Sequence, residues 1–418
     1  MDIENIYAKY LAHPQICTDT RNIIPDSIFV CLKGERFDGN QFALSALEQG
    51  ASFVITENAA LAENPRCIVV ENSLATLQQL AAHHRQQLNI PIIGITGTNG
   101  KTTTKELVSA VLAQKFRTAF TKGNLNNHIG VPLTLLSIKP SDEMAIVEMG
   151  ANHPGEIADL CAIARPTYGL ITNVGKAHIE GFGSEAEIVH TKKALYRSVI
   201  ADNGTLFVNV NDQKLRDGLD YGKVVYYAEG GEGNIVNMSP YLRIRVAGRE
   251  VDTHLTGSYN IYNFLAAAAV GHYFGVSDEQ IADALGQYVP SNHRSQVNKI
   301  GTNVIISDYY NANPTSMEAA VRNLAQLQHP HKLAILGDMR ELGPVSREEH
   351  QKIIRLCATL HLDALFVGSE FAVHQPEHSY RDVEELNEAL KAQPITDSLI
   401  LVKGSNSMHL DRLTSILQ

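Results

Sequence analysis

The chain has no apolar run of 18 residues, so nothing in its 418 positions reads as a membrane-spanning helix, and no membrane insertion is expected. Cysteine is scarce. The five, Cys17, Cys31, Cys67, Cys161 and Cys357, are odd in number, far apart and mostly set in apolar stretches. That excludes a disulfide framework or a zinc site and leaves reduced packing residues. Positive charge is in deficit, 35 Lys and Arg against 45 Asp and Glu, for a net charge of −10. A nucleic acid is therefore not the expected main partner, although local positive charge can still hold a small anionic substrate. Met1-Asp2-Ile3-Glu4-Asn5 has neither a basic nor an apolar leader character, and the expected compartment is the cytoplasm. Internal repeats and low-complexity segments are also missing.

What is present is the composition of an ordinary globular protein, 44% hydrophobic and 19% charged, at a length that calls for two or three domains. Residues 1–85 alternate short strands (Ile28–Leu32, Phe53–Thr56, Cys67–Val70) with helical stretches near Gln41–Gln49 and Ser73–Gln87. Across 86–298 the rhythm lengthens. Strands expected at Ile90–Thr96, Ala145–Met149, Gly169–Val174 and Thr205–Val210 alternate with helices, the signature of a mainly parallel sheet that binds ligands at its carboxyl ends. Val224 to Leu255 reads as a β-rich excursion and Asn260–Phe274 as an alanine-rich helix. In 299–418 a fresh β/α series, Val304–Asp308, Leu333–Leu336, Ala364–Val367 and Leu399–Val402, predicts a Rossmann-like unit without a Gly-x-Gly-x-x-Gly of its own.

Chemistry concentrates in Gly94-Ile95-Thr96-Gly97-Thr98-Asn99-Gly100-Lys101-Thr102-Thr103-Thr104, between an apolar strand and the helical stretch from Glu106 to Leu112. Glycines free the backbone amides of Gly97 to Thr103 to face a polyphosphate, Lys101 neutralises its β and γ oxygens, and the Thr102 hydroxyl is placed for Mg²⁺. Ile95 stands where the usual motif has its first glycine. Glu148 closes a second apolar strand, and a carboxylate there suits a hard cation. His178 follows a third strand, and Lys192 lies in the basic Lys192-Lys193 pair of the expected helix Glu185–Ile200.

The Gly-Thr-Asn-Gly-Lys-Thr spacing resembles the Mur ligase and folylpolyglutamate synthase superfamily. The blocks Gly123 to Pro132, Glu148 to Ile157, His178 to Gly183, Asp308 to Met317 and Leu336 to Gly343 resemble the Mur ligases that join D-Ala-D-Ala to UDP-MurNAc-tripeptide. The Asp-Asn-Pro-Arg motif of the diamino-acid-adding branch is missing. The resemblance implies a three-domain α/β architecture: a UDP-substrate domain, a central phosphate-loop domain with a mainly parallel sheet, and a Rossmann-like carboxyl-terminal domain. It further implies ATP and two Mg²⁺ ions. Thr102 and Glu148 would hold one ion, and His178 with a CO₂-derived carbamate on Lys192 the other; Tyr196, four residues on, marks Lys192 and not Lys193 for that modification. Asn263 would meet adenine, Arg294 a phosphate and Asp308 the ribose. The family often carries a second aspartate before the tyrosine-asparagine block, where this chain has Ser307. Asn126 and Asn127 would lie near the sugar-peptide, Thr20 and Arg21 near the uracil or diphosphate, and Asn311 and Asn313 near the dipeptide.

The reaction so implied is amide formation through an acyl phosphate, by a monomer, with Lys101, Glu148, His178, Lys192 and Arg294 as the catalytic set. Another amino-acid ligase of the superfamily is the nearest alternative. A non-catalytic ATP-binding regulator is the other, and joint retention of Lys101, Glu148, His178 and Lys192 speaks against it.

Overall fold

The computed structural model describes residues 2–34, 37–414 and 416–417. Glu35 and Arg36, part of the Leu32 to Asn40 run that resembles a UDP-binding segment, lie outside the described residues.

The first sheet is four parallel strands in the order Ile16–Cys17, Ile28–Val30, Phe53–Thr56, Cys67–Val69. Its helix Ser73–Gln87 is started by Asn72, whose side chain accepts the amide of Ala75. Leu77 and Leu80 on that helix share one apolar core with Val131, Leu135 and Leu160 of the next unit. Arg85, buried on the same helix, donates to the carbonyls of Ala164 and Arg165. The first two units are thus fused by a common core.

The central sheet has six parallel strands in the order Val224–Tyr227, Thr205–Asn209, Tyr168–Ile171, Ile92–Thr96, Met144–Glu148, Thr118–Phe120. Ile92–Thr96 is flanked by strands that occur later in the chain on either side, which makes its carboxyl end the switch point where a crevice opens. The register sets Ile95 beside Glu148 and Thr96 beside Ile171, so three loops leave the sheet at one level. The structure corrects the expected β-rich excursion: Val224–Tyr227 belongs to this sheet, and only Ile235–Asn237, Arg243–Val246 and Arg249–Asp252 form a separate antiparallel sheet. Alternation within a strand says which face is buried, not which sheet it joins.

The third sheet runs Gln296–Ile300, Asn303–Asp308, Leu399–Lys403, Lys332–Gly337, Asp363–Val367, Ser379–Tyr380. It begins earlier than the sequence suggests, because Gln296–Ile300 pairs antiparallel with Asn303–Asp308 as an edge; its half-buried, largely polar residues hide it from an apolar-run criterion. Its two faces carry separate cores, one around Met317, Leu336 and Phe366 and one around Leu386, Ile400 and Leu413.

Candidate active site

A cleft of about 930 Å³ opens at the carboxyl end of the central sheet and is closed on its far side by residues of the third unit. At its floor the phosphate loop turns on two glycines in the left-handed half of backbone space, Gly97 (φ 147°) and Gly100 (φ 78°). A Cβ at Gly97 would lie 1.9 Å from the Thr172 hydroxyl, and one at Gly100 2.6 Å from Asn263 Oδ1, so neither position has room for a side chain. Asn173 clamps the loop: its Oδ1 accepts the Asn99 amide at 3.0 Å, its Nδ2 donates to the Asn99 carbonyl, and its own carbonyl accepts the Thr98 amide. The helix Lys101–Leu112 starts directly from Gly100 without a side-chain cap, which leaves its first amides available to an anion. Lys101 Nζ donates to the carbonyls of Gly97 and Thr98 at 2.8 and 3.1 Å. Burial holds its ammonium down to about 8.

Glu148 is 1% exposed and anchored from three sides. Its Oε1 accepts from Thr102 Oγ1 at 3.1 Å and Asn126 Nδ2 at 2.8 Å, and its amide donates to Thr121 Oγ1. Among the described residues its Oε2 has no hydrogen-bond partner, and the nearest cation, Lys105, stands 3.9 Å away. A buried carboxylate oxygen without a donor, beside a threonine hydroxyl, is a donor set that fits a hard cation. Among the described residues, no three His, Cys, Asp or Glu side chains gather closely enough to hold a metal by themselves, as expected where phosphate oxygens complete the shell.

His178 stands at the start of the short helix Ile179–Phe182 in a left-handed conformation (φ 51°), with Nδ1 against the carboxylate of Glu341 of the third unit. The imidazole beside it holds the Glu341 carboxyl below the usual range. Lys192 is buried at 3% exposure with its Nζ 5.9 Å from the centre of the Phe182 ring, and, unlike His178, it is not among the residues that line the cleft. Burial, with a smaller push from Lys101, brings its amine down to about 7. Lys193, by contrast, points outward to the carbonyl of Asp217.

Arg294 enters the cleft from the connection to the third unit, between two non-glycine residues in the left-handed region, His293 (φ 55°) and Ser295 (φ 51°). Its guanidinium lies 3.9 Å over the Tyr310 ring, and its Nε is buried without an acceptor. Asp308 is held by the Ser295 amide on Oδ1 and by Lys403 on Oδ2, at 3.1 and 2.7 Å. Lys403 also donates to the carbonyl of Asn311.

The structure brings Gly100, Lys101, Thr102, Thr103, Asn126, Asn127, Glu148, His178, Asn263, Arg294, Asp308, Asn311 and Asn313 to this one cleft. Several have local duties there. Asn263 accepts from Thr104 and donates to Asn260, bracing the phosphate loop. Asn127 Oδ1 takes the amides of Ile129 and Gly130. Asn313 caps the helix Pro314–Gln326 and donates to Asn99 Oδ1 at 2.7 Å. Asn311 Oδ1 accepts the amide of Ala312 at the cleft wall. Thr20 and Arg21 do not line the cleft; Arg21 is exposed and forks onto Asp19 at 2.9 and 2.8 Å. Two buried lysines escaped sequence reasoning, Lys105 and Lys403, at 1% and 2% side-chain exposure. Lys403 was findable, because it ends the apolar strand Leu399–Lys403 as Glu148 ends Met144–Glu148.

Comparison with known proteins identifies the family. Residues 15–95 match the family model "Mur ligase family, catalytic domain", 95–271 "Mur ligase middle domain" and 293–406 "Mur ligase, glutamate ligase domain". The chain is 36% identical to the UDP-N-acetylmuramoyl-tripeptide–D-alanyl-D-alanine ligase of Synechocystis, over 96% of this chain and 91% of that one. It superposes on MurF from Acinetobacter baumannii with a TM-score of 0.87 at 32% identity, covering 96% and 93% of the two chains. MurF from Thermotoga maritima, solved in complex with ADP, gives a TM-score of 0.84 at 26% identity with 97% of each chain covered. Matched in every unit and at this identity along nearly its whole length, the chain belongs to the Mur ligase family, within its MurF branch.

Proposed function

We propose that this chain ligates D-Ala-D-Ala to UDP-MurNAc-tripeptide with ATP, giving the pentapeptide precursor of peptidoglycan. The observation that carries the reading is convergence: Lys101, Thr102 and Glu148 from the central unit and Arg294, Asp308 and Asn311 from across the connection line one cleft. In the first step the tripeptide carboxylate attacks the γ-phosphorus, and ADP leaves behind an acyl phosphate. In the second, the dipeptide amine attacks the acyl carbon, phosphate departs, and the nitrogen loses a proton. The obstacle in the first step is repulsion between anions, and the chain's answer is fixed positive charge. Lys101 opens a helix whose first amides carry no side-chain cap, and Arg294 is preset over Tyr310.

Thr102 and Glu148 would hold one Mg²⁺, and His178 with a carbamate on Lys192 a second. Bound there, the ions neutralise the phosphate oxygens. The carbamate reading is supported by the burial of Lys192: an amine near neutrality at pH 7 attacks CO₂ through its nitrogen lone pair and releases one proton, and the product is an anion. The segments 1–85, 86–298 and 299–418, the last joined by the edge strand Gln296–Ile300 that pairs into its sheet, then serve the UDP carrier, ATP and the dipeptide in turn, with Thr20 and Arg21 on the carrier side.

The test is release of ADP over many turnovers of the purified protein. Release is expected only when UDP-MurNAc-tripeptide and D-Ala-D-Ala are both supplied, with glutamate or a diamino acid poor substitutes for the dipeptide. Efficient use of a single amino acid would move the chain to a sister ligase, and acceptor-independent ATP turnover would make it a regulator.

A further inference from the structure

The loop Gly337 to Gly343 is braced from within and offers one carboxylate outward. Asp338, fully buried, accepts the amides of Glu370 and Phe371 at 3.2 Å each, and His350 Nε2 takes the amide of Met339 at 3.0 Å. Gly368 leaves room for that arrangement, since a Cβ there would fall 2.3 Å from the Asp338 carboxyl carbon. Beyond this brace Glu341 adopts the left-handed region (φ 62°), its carbonyl accepts the Glu180 amide at 3.4 Å, and its carboxylate closes on His178 Nδ1 by proximity, a buried ring nitrogen that has no aligned hydrogen bond among the described residues. Gly343 lies flat against Glu180. Among the described residues, the only ion-pair partner of His178 thus comes from the other side of the interface.

A histidine that binds a metal through one ring nitrogen is commonly oriented by a carboxylate on the other, which fixes both tautomer and direction. We propose that Glu341 is a positioning residue for His178: docking of the third unit brings the carboxylate that keeps the proton on Nδ1 and frees the Nε2 lone pair for the metal. The second metal position is then complete only in the docked arrangement. This rests on the reading of His178 as a metal ligand.

The experiment titrates Mn²⁺ into the full-length protein with bicarbonate and a non-hydrolysable ATP analogue, following free Mn²⁺ by electron paramagnetic resonance. Wild type is expected to take up two ions. Glu341→Ala should weaken one of them by about 10- to 100-fold and spare the other. Glu341→Gln, which keeps an oxygen for the Nδ1 proton, should recover most of that loss. Lys176→Ala cuts a different ion pair of the same interface, 3.5 Å to Glu349, and should leave both affinities unchanged. Unaltered Mn²⁺ binding in Glu341→Ala, or equal weakening in Lys176→Ala, overturns the positioning role. If wild type binds one ion, or His178→Ala still binds two, the ligand reading itself falls, whatever Glu341 does.

Discussion

Lys192 and Lys193 show how far one position along a helix changes a side chain's chemistry. The first is buried near the Phe182 ring, with its amine brought from 10.5 to about 7, and the second reaches solvent. Lys192→Ala is expected to lose most ligase activity and Lys193→Ala to keep most of it, measured as amide product per ATP consumed. The depressed amine also sets a pH dependence. Between about pH 7 and 10.5 the unfolded chain binds a proton at Lys192 that the folded chain does not, so this site's cost to stability falls as pH rises through that window. In CO₂-free buffer Lys192→Met should therefore melt above wild type near pH 7, with the difference fading toward pH 10. A difference that stays constant across the range would show that the amine does not titrate there. The pair was legible in sequence only through the resemblance, by the offset to Tyr196; burial is a tertiary fact that the basic pair does not announce.

At the level of elements, the helix Pro314–Gln326 has a strong start signal: Asn313 caps it, Pro314 opens it, and Ser316 returns the hydrogen bond to the Asn313 amide. Asn313→Ala should cost about 1 kcal/mol of stability through the cap. It should also raise the KM for ATP more than that for the dipeptide, since its amide reaches Asn99. Asn311→Ala is the contrasting case and should raise the KM for D-Ala-D-Ala, because Asn311 lies at the cleft wall with only its own turn as a side-chain partner. A stability loss in Asn311→Ala with both KM values fixed would make it a turn residue. Strands that end in chemistry were readable, because Ile92–Thr96 and Met144–Glu148 are fully buried runs broken by a glycine-rich loop or a carboxylate. The half-buried edge strand Thr118–Phe120 gave no such run. Nor does any local pattern place Arg294 between two left-handed residues, a geometry imposed by what the neighbouring units require of the connection.

At the scale of the molecule, the apolar clusters of the third unit include, among the described residues, none from the other two. Its docking is polar: Asn313 to Asn99, Lys176 to Glu349, His178 to Glu341, and the Lys176 amide to the Thr315 hydroxyl. Such an interface can open and close between turnovers. A Cβ at Gly175 would stand 3.5 Å from that of Thr315, within disulfide range. Gly175→Cys with Thr315→Cys should therefore lock the docked arrangement on oxidation, stop turnover, and recover on reduction; the five native cysteines are buried and free. Continued turnover in the oxidised double variant would show that opening is not part of the cycle. The first unit presents the opposite economy. Joined to the second through a common core, it lends the cleft, among the described residues, one lining residue, Gln78, from the seam helix Ser73–Gln87. Over evolutionary time, a lineage could rewrite the loops ahead of Ser73 to recognise a different carrier, keep that helix and the Tyr10 bond to the Leu136 carbonyl as the graft point, and inherit the phosphoryl chemistry unaltered.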